Sequence, residues 1–171
     1  ESGGQYNVVV GDEAGTAITT GDSNVAIGYA SLDATTTSGN NTAVGTSSLG
    51  ANTTGASNTA VGRKALLSNT TGHSNSAFGA DLPGVVAGSA LSANTTGLRN
   101  VAFGGSTLAT NTTGSDNVAV GAQALYANTT ASNNTAIGRN SLGANTTGSE
   151  NTVVGKDAGK AVTTGEQNTL I

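Results

Sequence analysis

The sequence has very little of the material that usually builds a globular core. Its 171 residues include no cysteine, methionine or tryptophan and a single proline, and aromatic residues make up only 3% of the chain. Without cysteine no disulfide framework can form, and the redox compartment cannot be inferred from this source. With so few bulky side chains, the core must be built from Ala, Val, Leu and Ile.

Charge is also scarce. Charged residues make up 9% of the chain, the net charge is −4, and the six basic residues are scattered along it. No basic patch is present for nucleic acid or an anionic membrane surface. No stretch approaches the ~18 apolar residues needed to span a bilayer. We therefore expect neither nucleic-acid binding nor membrane insertion.

What the chain does have is an internal repeat. An asparagine recurs every 17 residues in two blocks, and the blocks are separated by 25 residues, which is one repeat plus eight. Ten repeats begin at Asn7, Asn24, Asn41, Asn58, Asn75, Asn100, Asn117, Asn134, Asn151 and Asn168. Numbered from this asparagine as repeat position 1, the unit reads N-[T/V]-A-[V/I/F]-G-x-x-A-L-x-A-N-T-T-G-x-x. Residues 1–171 therefore form a single repeat domain.

The repeat predicts an all-β fold. A 17-residue period is too short for solenoids of paired helices, and no segment has helical spacing of apolar residues. We predict a β-solenoid or β-roll of ten rungs, with one strand at repeat positions 1–4, a second near A-L-x-A-N-T-T, and turns at the glycines. Rungs stacked at about 4.8 Å would form a rod roughly 45 to 50 Å long.

Asparagine columns are the second structural prediction. Stacked rungs place each position 1 asparagine over the next, so we expect these ten residues to form side-chain amide ladders. The asparagine that opens most N-T-T triplets should form another ladder. Those residues are Asn52, Asn69, Asn94, Asn111, Asn128 and Asn145. The recurrence of N-T-T at one register favours this structural role over glycosylation of an N-x-[S/T] pattern.

The directions in which the side chains of the first strand point lead to a prediction about assembly. Because strand side chains alternate, we expect Val118 and Val120 to point into the coil and Ala119 to point outward. A column of exposed alanines and a thin core of small residues both favour self-association. We predict a parallel homotrimer, with a dimer and a lone solenoid as the alternatives.

Two motifs resemble known fibre proteins. Residues 24–28 (N-V-A-I-G) and 58–62 (N-T-A-V-G) resemble the N-x-A-[I/V]-G motif of head repeats in YadA-like trimeric autotransporter adhesins. Residues 124–138, with Ala131 replacing one glycine, resemble the repeats of phage tail-fibre proteins and related bacterial surface proteins that end in an endosialidase-type chaperone domain. The resemblance implies a homotrimeric β-roll fibre segment used for attachment. It places the chain outside the cell, on a virion tail or a bacterial surface, and leaves both origins open.

Catalytic chemistry has no support in the sequence. His73 is the only histidine and falls at a variable turn position, which favours a solvated side chain over a catalytic base. Acidic residues fall singly at turns, without the paired carboxylates of glycosidases. We expect no enzyme activity, no cofactor and no metal site.

The interruption of the period is the best local candidate for receptor contact. Residues 80–87 contain Asp81, Leu82 and Pro83, and the only proline of the chain cannot lie inside a paired central strand. We predict a loop on one face, where insertions in repeat proteins often bind; a neutral insertion or a packing contact between chains is the alternative. The other binding candidates are large or charged side chains at variable turn positions: Tyr29, Arg63, Lys64, His73 and Arg99. Repetitive display of such side chains suits a cell-surface glycan or protein receptor.

Ice binding is the alternative function. β-Solenoids with regular threonine columns can present a flat, ordered surface, and each N-T-T triplet supplies two threonines. Such proteins typically use Thr-x-Thr on the exposed strand, whereas neighbours such as Thr53 and Thr54 point to opposite faces, which argues against ice binding.

Overall fold

The protein is an all-β solenoid with one short strand per turn. The computed structural model describes residues 3–81 and 88–171, and within these ranges it contains no helix. Its strands are β1 (Val8–Val10), β2 (Val25–Ile27), β3 (Thr42–Val44), β4 (Thr59–Val61), β5 (Ser76–Phe78), β6 (Val101–Phe103), β7 (Val118–Val120), β8 (Thr135–Ile137), β9 (Thr152–Val154) and β10 (Thr169–Leu170). Leu82 and Pro83, and with them most of the predicted loop, lie outside the described residues.

All ten strands form one parallel sheet in chain order. Each residue pairs with its counterpart one repeat later, as Ala26 does with Ala43 and Val44 with Val61. At the interruption Ala77 pairs with Ala102, so the eight extra residues leave the register of the sheet unchanged. The predicted β-solenoid is therefore confirmed, with about nine turns.

The second strand of each rung is absent from the described turns, and this part of the prediction is wrong. The leucine at repeat position 9 has a left-handed backbone, with φ of 54° at Leu32, 52° at Leu66 and 50° at Leu125. A residue in this region ends an extended segment. The segment from position 6 to 14 is a series of turns, but hydrogen bonds between turns continue through it, as from Leu66 N to Ala90 O at 3.1 Å.

The side chains of the strand also point in directions opposite to those predicted. Ala119 is fully buried, whereas Val118 is half-buried and Val120 is 36% exposed. In seven turns the interior also receives a leucine from position 9, such as Leu125, which leaves room for only a methyl group at position 3. The core is thus a column of alanines against a column of leucines.

Two turns fill the same space in a different way. Val9 and Val153 occupy position 3, and in both turns position 9 is glycine, Gly15 or Gly159. A Cβ atom on Gly15 would lie 3.2 Å from Cγ2 of Val9, and one on Gly159 would lie 3.3 Å from Cγ1 of Val153. The large side chain of a turn therefore comes from position 3 or position 9, and the other position stays small.

Glycine is required at position 5 by its backbone conformation and by the close approach of the backbone of the next turn. Gly121 has φ of +119°, and a Cβ atom there would lie 2.7 Å from the carbonyl carbon of Gly138 in the next turn. Side chains rarely adopt this φ, and backbone at that distance cannot yield without moving the turns apart.

We expect Gly121→Ala to lower the free energy of unfolding by about 2 kcal/mol or more, because it combines backbone strain with a clash between turns. Gly50→Ala is the matched control: its added Cβ would lie 3.3 Å from the nearest atom, Ser47 O, and its φ lies outside the left-handed region. Urea denaturation of both variants measures the difference. Equal losses would contradict the account of position 5.

The position 1 asparagines form a buried hydrogen-bonded ladder through the coil. Nδ2 of Asn117 donates to Oδ1 of Asn100 at 3.1 Å and to the carbonyl oxygen of Ala131 at 2.9 Å. Oδ1 of Asn117 accepts a hydrogen bond from the backbone N–H of Asn134 at 3.1 Å. The Asn117 side chain thus ties its turn to both neighbouring turns and closes its own turn between positions 1 and 15.

A second ladder runs along position 12. Nδ2 of Asn69 donates to Oδ1 of Asn52 at 2.8 Å and to the carbonyl oxygen of Gly72 at 2.9 Å. Thr35 begins this column by accepting a hydrogen bond from Nδ2 of Asn52 at 3.0 Å. In the described part of the chain Oδ1 of Asn145 is a buried acceptor with no donor. The next residue in the column is the apolar Val162, so the ladder ends there.

We expect Asn117→Ala to lower the free energy of unfolding by about 2 to 4 kcal/mol, because it removes three buried hydrogen bonds and leaves the backbone N–H of Asn134 without its acceptor. The control is Asn133→Ser, at an exposed position 17 that is already serine at Ser57 and Ser74. Thermal unfolding followed by circular dichroism compares the two variants. A melting temperature for Asn117→Ala equal to that of the control would contradict a stabilising ladder.

Candidate functional site

Among the described residues, the strands present a partly exposed hydrophobic surface, here called the apolar face and defined as the outward side chains at repeat positions 2 and 4 of β1–β9. Position 4 contributes Val10, Ile27, Val44, Val61, Phe78, Phe103, Val120, Ile137 and Val154. Because the turns are in register, these side chains form one column about 40 Å long. Phe103 is the more exposed of the two phenylalanines, with 55% of its surface accessible to solvent.

Around the interruption the apolar face is aromatic. The rings of Phe78 and Phe103 stack with their centroids 5.1 Å apart and their planes at 27°. Position 2 adds Val8, Val25, Val101 and Val118 beside this column, with threonine or serine in the other turns. A contiguous strip of exposed and half-buried Val, Ile and Phe is typical of a surface that another molecule covers.

Threonine columns occupy a different part of each turn. At position 13 the hydroxyl group donates to the carbonyl of the next turn, as from Thr53 Oγ1 to Thr70 O at 3.0 Å. Position 14 holds nine exposed threonines: Thr20, Thr37, Thr54, Thr71, Thr96, Thr113, Thr130, Thr147 and Thr164. Thr53 and Thr54 are both exposed and lie in a turn. The prediction that these two side chains point to opposite faces was therefore wrong, because it assumed a second strand that is absent here.

Three of the candidate binding residues come together beside the interruption. The guanidinium group of Arg63 pairs with the carboxylate of Asp81, which also accepts a hydrogen bond from the hydroxyl of Ser89. Ser89 follows the interruption and Asp81 begins it, so this carboxylate joins its two ends. Lys64 lies next to Arg63 in the preceding turn and faces the same region.

Lys64, Asp81 and Ser89 border a pocket of about 480 Å³. Its lining comprises Lys64, Leu67, Ser68, Asp81, Gly88, Ser89, Ser92 and Ala93. Sequence analysis identified Lys64 and Asp81 as candidates but missed the three serines. Ser68 lies at position 11, which is alanine or threonine in the other turns, and Ser92 lies at position 10, which varies in both size and charge. Only their closeness to the interruption could have distinguished them.

The remaining candidates are spread over separate turns. Tyr29 is half exposed, and its pKa is raised by interaction with the Glu13 carboxylate. His73 is exposed, with Nδ1 3.4 Å from the hydroxyl of Ser74. Arg99 forms a bidentate pair with Asp116, with N···O distances of 2.7 and 2.8 Å. The structure does not gather these side chains into one site.

Within residues 3–81 and 88–171, no group of three or more His, Asp or Glu side chains is placed to hold a metal ion. Over the same ranges, no helix is long and apolar enough to cross a membrane.

Comparisons with protein-family models, curated proteins and solved structures found no match for this chain. The apolar face, the threonine columns and the pocket are the features of the molecule that bear on its function.

The Arg99–Asp116 pair gives a titration prediction. The hydrogen bond and charge of Arg99 lower the pKa of Asp116, so the pair contributes stability above the ordinary aspartate pKa and loses it as pH falls through the lowered value. We expect Arg99→Gln to return the Asp116 pKa toward its ordinary value. Carboxyl-carbon NMR titration measures it, with Arg139→Gln as control. An unchanged Asp116 pKa in Arg99→Gln would contradict the pairing.

Proposed function

We propose that this chain is a structural and adhesive segment of an extracellular trimeric fibre, on a phage tail or a bacterial surface. It acts without catalysis or cofactor and contacts a cell-surface glycan or protein receptor. The observation that carries the proposal is the apolar face, which runs along the rod and which the described residues leave partly exposed. The resemblance of its repeats to those of trimeric fibre proteins supports the same conclusion.

A second copy of the chain is the partner that best matches the apolar face. The face repeats its side chains at the strand spacing of about 4.8 Å, and an identical parallel rod repeats at the same spacing. Every turn of one copy can then meet the corresponding turn of another. A partner without this repeat would match only a few turns, so symmetric self-association buries the most apolar surface per contact.

The width of the face favours three copies. Each strand of the apolar face is three residues long, for example Val118–Val120 in β7, which gives a strip about 10 Å wide. A strip this narrow suits convergence on a three-fold axis, where Val120 and its counterparts would fill the space between the chains. The side-chain hydroxyls and charges of the turns then remain outside, where they are available to a receptor.

We expect the chain to have a solution mass near three times its 16.4 kDa by analytical ultracentrifugation. The double variant Val120→Asp with Ile137→Asp should shift it to one chain, because six carboxylates would meet at the axis of a trimer. The control is Thr113→Asp with Thr130→Asp, in the threonine column, which should keep the mass of three chains. A wild-type mass of one or two chains would contradict the trimer.

Ice binding is a second candidate function, and the observation that favours it is the column of nine exposed position 14 threonines. They repeat at the spacing of the turns, and the neighbouring position 13 hydroxyls are held by carbonyl groups. A regular row of methyl and hydroxyl groups could order water on its surface.

Thermal hysteresis separates the two functions. A fibre segment produces none, which is the result we expect. An ice-binding protein would produce hysteresis that falls when Thr113 and Thr130 are replaced by lysine and persists in Val120→Asp. Hysteresis with that dependence would overturn the fibre proposal in favour of the threonine column.

A further inference from the structure

The pocket beside the interruption differs from the rest of the rod surface because two sets of side chains border it. One set comes from the turn before the interruption and includes Lys64, Leu67 and Ser68, and the other follows it and includes Ser89 and Ser92. The Asp81 carboxylate, held by Arg63 and Ser89, fixes the border between them. Its volume of about 480 Å³ falls in the range of about 300 to 1,000 Å³ typical of small-molecule sites.

The lining combines an apolar floor with hydrogen-bonding groups. Leu67 and Ala93 supply carbon surface. The Ser92 hydroxyl donates to Ala109 O at 3.3 Å, so its oxygen can accept a hydrogen bond from a ligand. The Ser68 hydroxyl can donate or accept. A pyranose ring needs both, since it has C–H groups on one face and hydroxyl groups around its edge.

The charged side chains at the pocket favour an anionic ligand. The negative charge of Asp81 is paired with Arg63, so the ammonium group of Lys64 leaves the lining with a net positive charge. Lys64 is at repeat position 7, where the other turns place no lysine or arginine. A charged donor that faces a pocket of hydroxyl groups favours a carboxylate on the ligand.

We propose that this pocket binds an acidic monosaccharide unit, with the sugar carboxylate on Lys64, its hydroxyls on Ser68 and Ser92, and its C–H face on Leu67. The proposal deepens the attachment role proposed above and rests on it for the idea that the ligand is a surface glycan. It does not depend on the number of chains in the assembly, because all of the lining residues belong to one chain.

The experiment compares methyl glucuronoside with methyl glucoside, which differ only in the carboxylate at carbon 6. Saturation-transfer NMR should show binding of the glucuronoside and roughly tenfold weaker binding of the glucoside. Lys64→Gln should remove this preference. Gln123 occupies the same position 7 with φ of 63°, against 59° for Lys64, so the variant should fold. Lys160→Gln, outside the pocket, is the control and should keep the preference.

Equal binding of the two glycosides, no binding of either, or equal losses in Lys64→Gln and Lys160→Gln would overturn the proposal. Sedimentation of the same samples keeps this result separate from the fibre proposal. A trimer that binds neither sugar would contradict the pocket alone, and a monomer that prefers the glucuronoside would contradict the trimer alone.

Discussion

The structure depends on the exact stacking of each turn on the next, and the buried asparagines enforce it. An amide at position 1 donates to the previous turn and to its own turn, while its oxygen accepts from the backbone of the following turn, as at Asn117. A shift of one residue would break every one of these bonds and bury their polar atoms unpaired. The eight-residue interruption leaves the ladder intact: Asn100 still donates to Asn75 at 3.1 Å.

Exact stacking determines what each position can hold. Position 5 must be glycine because successive backbones approach within the reach of a Cβ atom. The interior is so narrow that one leucine and one alanine fill it, which forces the β-branched and aromatic side chains of the strand outward. The apolar face is therefore a consequence of the narrow coil, and covering it removes the exposed surface that the coil creates.

The period, the all-β class and the continuous register could be predicted from the sequence, because a repeated asparagine fixes them. Alternation along the strand could not show which side chains point into the coil, since both faces of the strand are apolar. One signal was available: seven turns combine Ala at position 3 with Leu at position 9, and two combine Val with Gly. Such compensation means that positions 3 and 9 share one space. The same glycines, Gly15 and Gly159, mark the left-handed backbone that ends the predicted second strand.

In the proposed assembly the apolar faces of identical, parallel copies meet in register, and the absence of native cysteine makes a direct test possible. A nitroxide label on Val120→Cys should show strong spin–spin broadening in electron paramagnetic resonance spectra, because the labels of neighbouring copies meet near the axis. A label on Thr130→Cys, in the threonine column, should show none. Narrow lines at both positions would contradict the assembly, and broadening only at residue 130 would place the contact on the threonine column.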